Sequence, residues 1–390
     1  MTHLFLIAGE PSGDRLGASL MAGLKNLEAD IQFSGIGGPL MQAEGLSSLF
    51  PMSDLSVMGV AEVLPKLPML LARVRQAADE VAKLCPDALV TIDSPDFCLR
   101  VAAKVKIGNP GLKTIHYVAP TVWAWRPERA AKMARYVDHV LALFPFEPPY
   151  MQAEGMSCDF VGHPVVAERA PSAALTAQFL AEIGVKPNEE MLLVLPGSRI
   201  GEVSRMGPVF GDVVATIAQK RPQTRIVVPT VASVAQHVND MIANWPGKPI
   251  LLDPRGLSAE VAETRKTLSF AAADLALAAS GTVSLELAGM GTPMVIAYKF
   301  NWLTTKIVKR KVKLKSATLV NILTDSQVVP EFLFEDCIAE KITPKVLEML
   351  ENPDQRNLQK SASEAAFQML GKGGEAPGLR AARSVLSVIK

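Results

Sequence analysis

Apolar runs of about five residues alternate with longer segments whose apolar positions recur at helical spacing. In the first part of the chain these runs predict strands at His3–Ala8, Ile31–Ile36, Asp87–Ile92, Lys113–Val118, Val137–Leu143 and Asp159–Gly162. Helices are predicted between strands, at Arg15–Leu27, at Ala61–Leu84 with breaks at Pro65 and Pro68, and at Phe97–Ile107. Strands that alternate with helices indicate a parallel, doubly wound sheet.

The alternation is interrupted by prolines between Gly162 and Asn188 and then begins again. The second set of predicted strands is Met191–Leu195, Arg225–Pro229, Pro249–Leu252, Asp274–Ala279 and Pro293–Tyr298. We therefore expect an α/β chain with two Rossmann-like domains (1–165 and 189–365), a linker (166–188) and a helical tail (366–390). Ligands should bind at the carboxyl ends of the strands, in a cleft between the domains. The tail is left with three arrangements: on its own domain, back on the first domain, or on a second subunit of a homodimer.

A small polar turn, Ser280-Gly281-Thr282, joins the predicted strand at Asp274–Ala279 to a predicted helix at Val283–Met290. The N-terminus of a helix presents free N–H groups and a positive dipole end, which favour an anion such as phosphate. Glu286 follows about one helical turn later, where its carboxylate could accept hydrogen bonds from a ribose diol. The alternative is an ordinary turn of an α/β sheet.

A second turn of this kind, Leu195–Arg199, follows the strand Met191–Leu195. Gly197 lets a ligand approach the backbone, Ser198 can donate or accept, and Arg199 offers a planar fork for a diphosphate. The alternative is a helix cap and a surface arginine. Two such turns at one edge of a sheet favour phosphate binding, although neither has the P-loop or the GxGxxG pattern.

Carboxylates follow two predicted strands of the first domain. Asp93 ends the strand at Asp87–Ile92, where it could take a proton from a hydroxyl nucleophile or serve only in a turn. After the first strand, Glu10 could bind a sugar hydroxyl, while Ser12 and Asp14 could cap the next helix. For Asp14 we expect capping.

An aromatic cluster, His116–Arg126, contains two of the four tryptophans of the chain. Its rings could stack on a sugar or line an acyl groove, or they could belong to the core, with His116 hydrogen-bonded there.

The composition excludes several classes of protein. With 390 residues, 49% hydrophobic and 20% charged, the chain has a globular composition, and a formal net charge of +1 by itself says nothing about a partner. The four cysteines are scattered, the five histidines are dispersed and no Asp-x-Asp pair occurs, so we expect neither disulfides nor a metal site nor a cofactor. The N-terminus lacks the features of a signal peptide, and no apolar run approaches the roughly 18–20 residues of a membrane span. A cytoplasmic location is the default expectation.

Two segments nevertheless favour contact with a membrane surface. An apolar stretch with prolines covers Val57–Val60 and Val63–Leu71, and Lys306–Lys315 carries six basic residues separated by apolar ones. A basic, apolar strip suits an anionic bilayer, and the mean hydropathy of +0.22 is high for a soluble enzyme. A solvated surface is the alternative for the strip, and nucleic acid is a weaker one.

Seven ordered motifs resemble the lipid-A-disaccharide synthase family, which is glycosyltransferase family 19. They are AGEPSGD (Ala8–Asp14), GGPLMQAEG (Gly37–Gly45), MGVAEVL (Met58–Leu64), IDSPDF (Ile92–Phe97), KTIHYVAPTVWAWR (Lys113–Arg126), LPGSR (Leu195–Arg199) and ASGTVSLE (Ala279–Glu286). The resemblance implies a GT-B fold of two Rossmann-like domains. It also implies a peripheral enzyme on the cytoplasmic face of the inner membrane.

The implied reaction transfers 2,3-diacylglucosamine from UDP to the 6-hydroxyl of 2,3-diacylglucosamine 1-phosphate, with inversion and without a metal. The resemblance assigns Asp93 as the base, Glu10 and Ser12 to the acceptor side, and Arg199, with Gly197 and Ser198, to the diphosphate. The donor loop is matched by Ser280, Gly281, Thr282 and Glu286. Asn321 matches the asparagine of a Leu-Pro-Asn segment in which this chain has Val320. A UDP-sugar 2-epimerase and a two-domain protein that only binds an anionic ligand are the alternatives.

Overall fold

A computed structural model describes residues 1–55, 60–299 and 316–390, and from residue 60 to 64 it describes the backbone alone. These residues form two compact units, 1–167 with 370–390, and 168–369. Residues 56–59 and the basic strip, Lys306–Lys315, lie outside the described residues.

The first unit contains one parallel sheet, with the order β3-β2-β1-β4-β5-β6-β7 among the strands described. The strands are β1 Thr2–Ala8, β2 Ile31–Ile36, β3 Ser47–Ser48, β4 Ala88–Ile92, β5 Lys113–Tyr117, β6 His139–Ala142 and β7 Ser157–Phe160. The helices are α1 Pro11–Leu27, α2 Pro39–Ala43, α3 Val60–Leu84, α4 Pro95–Gly108, α5 Glu128–Met133 and α6 Pro148–Gln152. Apolar side chains of α3 and α4 pack on the central strands, as the buried runs predict.

The second unit has its own parallel sheet, with the order β10-β9-β8-β11-β12-β13. Its strands are β8 Met191–Leu195, β9 Arg225–Pro229, β10 Ile250–Leu252, β11 Leu275–Ala279, β12 Met294–Tyr298 and β13 Glu331–Leu333. The described helices are α7 Ala173–Glu182, α8 Ile200–Lys220, α9 Ala235–Ile242, α10 Ala259–Ala272, α11 Val283–Gly289, α12 Leu319–Thr324, α13 Ala339–Glu351 and α14 Pro353–Met369. Its core lies between the sheet and helices that include α8 and α13.

The last helix, α15 (Pro377–Ile389), belongs to the first unit, where it packs against α1. A chain of polar groups, buried at Ser384 and His139 and exposed at Asp159, attaches it to the sheet. The Ser384 hydroxyl donates to Asp159 Oδ2 at 2.6 Å and lies 2.8 Å from His139 Nε2. Hydrogen bonds of this kind fix the register of a helix on a sheet, because each buried polar group needs its partner.

The predicted helices differ most from the structure at two points. The segment after β1 is helical from Pro11, since proline fits the first position of a helix, where no N–H is needed. The predicted breaks in α3 do not occur: the helix continues through Pro65 and Pro68. Each proline lacks an N–H group, so the helix loses one backbone hydrogen bond at each position.

Candidate active site

Two turns leave the same edge of the first sheet, after β1 and β4. These strands are adjacent and parallel, with Ala8 opposite Ile92, so Gly9 and Asp93 begin neighbouring turns. A Cβ atom at Gly9 would lie 2.6 Å from Ser94 Oγ, and the close approach of the turns therefore requires glycine. The residues that the motifs singled out after these strands are thus brought together.

Asp93 stands in an unusual backbone conformation at this edge. Its φ is 52° and that of Ser94 is 42°, so two consecutive non-glycine residues occupy the left-handed region. The Asp93 N–H donates to the carbonyl oxygen of Tyr117 at 2.9 Å, which holds the turn. The Ser12 hydroxyl donates to Asp93 Oδ2 at 3.4 Å. Strain of this kind is frequent at functional sites, where surrounding structure maintains it.

A cavity of about 180 Å³ lies beside Asp93. It is lined by Asp93, Pro95, Leu99, His116, Val118, Ala119, Pro120, Thr121, Arg129 and Met133. His116 Nδ1 lies 2.8 Å from the Thr91 hydroxyl, and burial lowers the pKa of His116 to about 4. The histidine is therefore a hydrogen-bonded, uncharged wall of the cavity at neutral pH.

The two acidic residues after β1, Glu10 and Asp14, have different surroundings. Glu10 precedes α1, and its carbonyl oxygen accepts the Asp14 N–H at 2.9 Å. Asp14 is buried inside α1 and does not cap that helix. Its carboxylate instead accepts from the backbone N–H groups of Gly38, Leu40 and Met41 at 2.8–3.0 Å, at the start of α2. Capping was the correct expectation for Asp14, but for the wrong helix.

The aromatic cluster is anchored by a buried carboxylate that the sequence analysis missed. Trp123 Nε1 donates to Glu147 Oε1 at 3.2 Å, and the Trp123 ring meets Phe146 edge-on with centroids 5.0 Å apart. Glu147 Oε2 accepts the N–H groups of Leu143 and Phe144. Burial raises the pKa of Glu147 to about 7, against the opposing effect of these hydrogen bonds. Trp123 is thus held by a hydrogen bond to a buried residue and is itself only half-buried. It therefore packs partly as a core residue and leaves part of its surface open to a ligand.

In the second unit, the two phosphate-type turns also leave one edge. Strands β8 and β11 are adjacent, with Leu195 opposite Ala278, so the turns at 196–199 and 280–282 are neighbours. Both line a cavity of about 430 Å³. Its walls are Leu195, Gly197, Ser198, Arg199, Glu202, Pro229, Thr230, Val231, Lys266, Phe270, Ala279, Ser280, Gly281, Thr282, Val283 and Glu286. The expectation that these turns share an edge is confirmed.

The side chain of Glu202, from the first turn of α8, reaches the turn at 196–199. Its carboxylate accepts the Ser198 N–H at 3.3 Å and the Tyr298 hydroxyl at 3.3 Å, and it pairs with an Arg199 guanidinium nitrogen at 3.1 Å. Gly197 has a φ of +128°, and a Cβ atom there would lie 2.7 Å from Glu202 Cβ. The Ser198 N–H and the Arg199 guanidinium, which could bind a phosphate, therefore contact the Glu202 carboxylate in this structure.

The second turn has a comparable partner. Glu286 pairs with Lys266 at 2.9 Å, and Lys266 also pairs with Glu263 at 2.8 Å. Burial opposes the charge of Lys266, but the two carboxylates outweigh it and raise its pKa. Lys266 was missed by the sequence analysis, because nothing in the spacing of α10 indicates that it reaches α11.

Asn321 is not among the residues that line this cavity. It is buried on α12, where its Nδ2 donates to the Val329 carbonyl oxygen at 2.8 Å and to Glu331 Oε1 at 2.9 Å. Its Oδ1 accepts the Val329 N–H at 3.0 Å. These bonds attach α12 to the segment that leads into β13, so in this structure Asn321 has a structural role.

Within the described ranges, no three His, Cys, Asp or Glu side chains are grouped as metal ligands, and the four cysteines are free. No described helix has both the length and the apolar character to cross a membrane.

Comparison with known proteins gives one consistent family. A family model described as Lipid-A-disaccharide synthetase (LpxB) matches residues 4–377. A lipid-A-disaccharide synthase of Ruegeria pomeroyi is 54% identical over 99% of this chain and 95% of its own length. One of Rhodospirillum centenum is 45% identical over 99% and 94%.

Solved structures share the fold at low identity. The Staphylococcus aureus MnaA–UDP co-structure has a TM-score of 0.67 at 11% identity, covering 99% of this chain and 95% of that one. The UDP-GlcNAc 2-epimerase of Neisseria meningitidis bound to UDP-GlcNAc has 0.63 at 12%, covering 100% and 99%. At these identities the likeness concerns the fold alone, and it agrees with the two parallel sheets.

Proposed function

The chain belongs to the lipid-A-disaccharide synthase family, and from this premise we propose that its two sheet-edge sites divide one glycosyl transfer between them. The enzyme is a glycosyltransferase of lipid A biosynthesis. Its donor is UDP-2,3-diacylglucosamine, its acceptor is 2,3-diacylglucosamine 1-phosphate, and its products are UDP and the β-1,6-linked disaccharide 1-phosphate. The α-linkage of the donor becomes a β-linkage, so the configuration at the donor C1 is inverted.

Asp93 is the proposed general base. Its carboxylate accepts the proton of the acceptor 6-hydroxyl while that oxygen attacks C1 of the donor sugar, on the face opposite to UDP. The observation that carries this proposal is the half-buried Asp93 carboxylate beside a cavity, at the carboxyl end of a central strand. In our proposal Ser12, which donates to Asp93, orients the base, and Glu10 binds a hydroxyl of the acceptor sugar.

The second unit is proposed to hold UDP in the cavity that follows β8 and β11. As the bond between C1 and the phosphate oxygen breaks, the electron pair leaves with UDP. Arg199 and the turn groups of Gly197 and Ser198 then stabilise the developing charge, together with those of Ser280–Thr282. The Glu286 carboxylate is assigned to the ribose diol. These assignments are supported by the shared cavity and by the motif matches. For Asn321, which does not line the cavity, a role in UDP binding is supported by the motif match alone.

One assay tests the proposed function. The wild-type chain is incubated with UDP-2,3-diacylglucosamine, with and without 2,3-diacylglucosamine 1-phosphate, and UDP and disaccharide are measured. We expect both products only when donor and acceptor are present. Release of UDP without acceptor, with an altered sugar, would indicate the epimerase alternative, and binding without any product would indicate a binding protein.

We also propose that the enzyme works as a peripheral protein at the cytoplasmic face of the inner membrane. Both of its sugar substrates carry acyl chains, and Leu67 and Leu71 of the apolar stretch are partly exposed on α3. The basic strip supplies several lysines and arginines, each contributing about 1 kcal/mol near an anionic surface. Replacing Lys309, Arg310 and Lys311 by serine should weaken sedimentation with anionic vesicles at low salt. Equal sedimentation of the two proteins would contradict this proposal.

A further inference from the structure

Arg129 lines the same cavity as Asp93. It stands near the start of α5, and Met133, one turn further along this helix, lines the cavity too. Its backbone N–H donates to the Arg126 carbonyl oxygen at 3.0 Å. Among the described residues, its guanidinium has no hydrogen-bond or ion-pair partner, so five N–H donors are available.

The charges of the lining residues make this arginine distinctive. Asp93 is the acidic member, and His116 is uncharged at neutral pH because burial lowers its pKa to about 4. The other lining residues are apolar or, in the case of Thr121, carry a hydroxyl. Of the cavity residues described, Arg129 is therefore the cation that an incoming anion would meet. Arg199, in contrast, is already paired with Glu202.

The acceptor substrate carries two groups that match Arg129 and Asp93. A phosphate is attached to its C1, and the hydroxyl that attacks the donor is on C6 of the same sugar. A carboxylate that receives the hydroxyl proton and a cation that binds the phosphate must therefore lie around one sugar ring. Asp93 and Arg129 line one cavity of about 180 Å³, so the structure places a carboxylate and a cation at the same site.

We propose that Arg129 binds the phosphate on C1 of the acceptor and thereby presents the 6-hydroxyl to Asp93. The planar guanidinium can donate two parallel hydrogen bonds to a phosphate, which fixes orientation as well as position. Arg129 is thus a specificity residue for phosphorylated acceptors. This inference rests on the proposed function, because that function defines the acceptor.

The test compares two acceptors, 2,3-diacylglucosamine 1-phosphate and 2,3-diacylglucosamine, which lacks the phosphate. The proteins are wild type, Arg129→Gln, Arg129→Lys and the control Arg135→Gln, which removes the same charge from an exposed residue outside the cavity. We expect Arg129→Gln to lower kcat/KM for the phosphorylated acceptor by about tenfold to a hundredfold, the range of a charge-assisted hydrogen bond. Turnover of the other acceptor should hardly change, Arg129→Lys should recover part of the loss, and Arg135→Gln should resemble wild type.

Equal losses for both acceptors, or no loss with the phosphorylated one, would overturn the proposal. UDP affinity, measured by calorimetry, should be unchanged in Arg129→Gln because the donor cavity belongs to the other unit, and retained turnover of the unphosphorylated acceptor reports that the first unit of the variant is folded. Glucosamine 1-phosphate and glucosamine serve as soluble probes in a binding competition that does not depend on turnover. If wild type forms no disaccharide, the proposed function fails, while a selective loss of glucosamine 1-phosphate binding in Arg129→Gln would still support the phosphate site.

Discussion

The two candidate sites share an architecture and differ in how their charges are held. Each lies at the carboxyl edge of a parallel sheet, after two adjacent central strands. In the second unit the arginine and the lysine of the cavity are paired with glutamates, Arg199 with Glu202 and Lys266 with Glu286. In the first unit Arg129 has no partner among the described residues, and Asp93 has one long hydrogen bond from Ser12.

The two units also differ in how deeply these titratable groups are buried. In the first unit, His116 of the cavity and Glu147 of the aromatic cluster are almost fully buried, and burial shifts the pKa of each so that the uncharged form is favoured. The ion pairs of the second site are partly exposed and can exchange for a ligand at small cost, since exposed pairs contribute about 0–1 kcal/mol. We therefore expect the second site to respond to salt and the first unit to respond to pH.

The largest expected effect comes from removing the base. Asp93→Asn keeps a side chain of the same shape but cannot accept the hydroxyl proton, so kcat should fall by about 10²–10⁴. UDP affinity should be unchanged, because the donor charges belong to the other unit. Steady-state kinetics and calorimetry give the two values.

Asp96→Asn is the matched control, since Asp96 is exposed, lies three residues away and does not line the cavity. It should retain nearly full activity. Wild-type turnover by Asp93→Asn would remove this residue from the mechanism.

The next effect concerns the stability of the first unit. The folded pKa of Glu147, about 7, lies above its ordinary value of 4.5. The folded state therefore binds more protons between these values, and the contribution of Glu147 to stability is present below about pH 4.5 and lost as the pH rises towards 7. The change should be about 3 kcal/mol. Denaturant unfolding followed by tryptophan fluorescence at several pH values measures it.

Glu147→Gln should remove this pH dependence, because an amide does not titrate in that range. Its NH₂ group also faces the Trp123 N–H donor, which would lower stability by a similar amount at every pH. The exposed Glu154→Gln is the control and should keep the wild-type slope. An unchanged slope in Glu147→Gln would show that the carboxylate is not held in its neutral form.

Arg199→Gln tests the donor site from the cationic side. A charge-assisted hydrogen bond to the diphosphate would be lost, and UDP affinity should fall about tenfold in calorimetry at low salt. The loss should shrink as salt rises, because the Arg199 side chain is 67% exposed. Lys220→Gln, at the far end of α8, removes a charge away from the cavity and should have no effect. Unchanged UDP affinity in Arg199→Gln would contradict its diphosphate role.

How far the sequence predicted the molecule can be followed at particular residues. The strands Ile31–Ile36, Met191–Leu195 and Arg225–Pro229 agree with the structure at both ends. Met191–Leu195 and most of Arg225–Pro229 are apolar and buried, as is usual in a parallel sheet, whereas Ile31–Ile36 is only partly buried and includes polar residues. The two-residue β3 and the short β13 were missed because neither has such a run. The prediction that the turns after β8 and β11 lie at one edge was correct, because the strand order of a doubly wound sheet is largely fixed.

The partners of the site residues could not be predicted. Asp14 accepts hydrogen bonds from residues 24–27 positions away, Glu147 receives the Trp123 N–H from 24 positions away, and Lys266 meets Glu286 from another helix. Such pairs depend on tertiary packing, and no local spacing encodes them. Arg129 was passed over for the same reason, because its significance lies in a cavity assembled from several segments.

Glu202→Gln should give the smallest effect and separates two readings of the paired donor site. In the structure the carboxylate competes with an incoming diphosphate for Arg199 and for the Ser198 N–H. Glutamine can still accept from Ser198 but carries no charge, so UDP affinity should rise, by less than about fivefold, the limit set by an exposed ion pair of at most 1 kcal/mol. The gain should disappear at high salt. If UDP affinity falls instead, Glu202 orients Arg199 for the diphosphate and does not compete with it. The ion pairs of the second site would then hold its cations ready for the ligand, whereas Arg129 in the first unit has no such partner among the described residues.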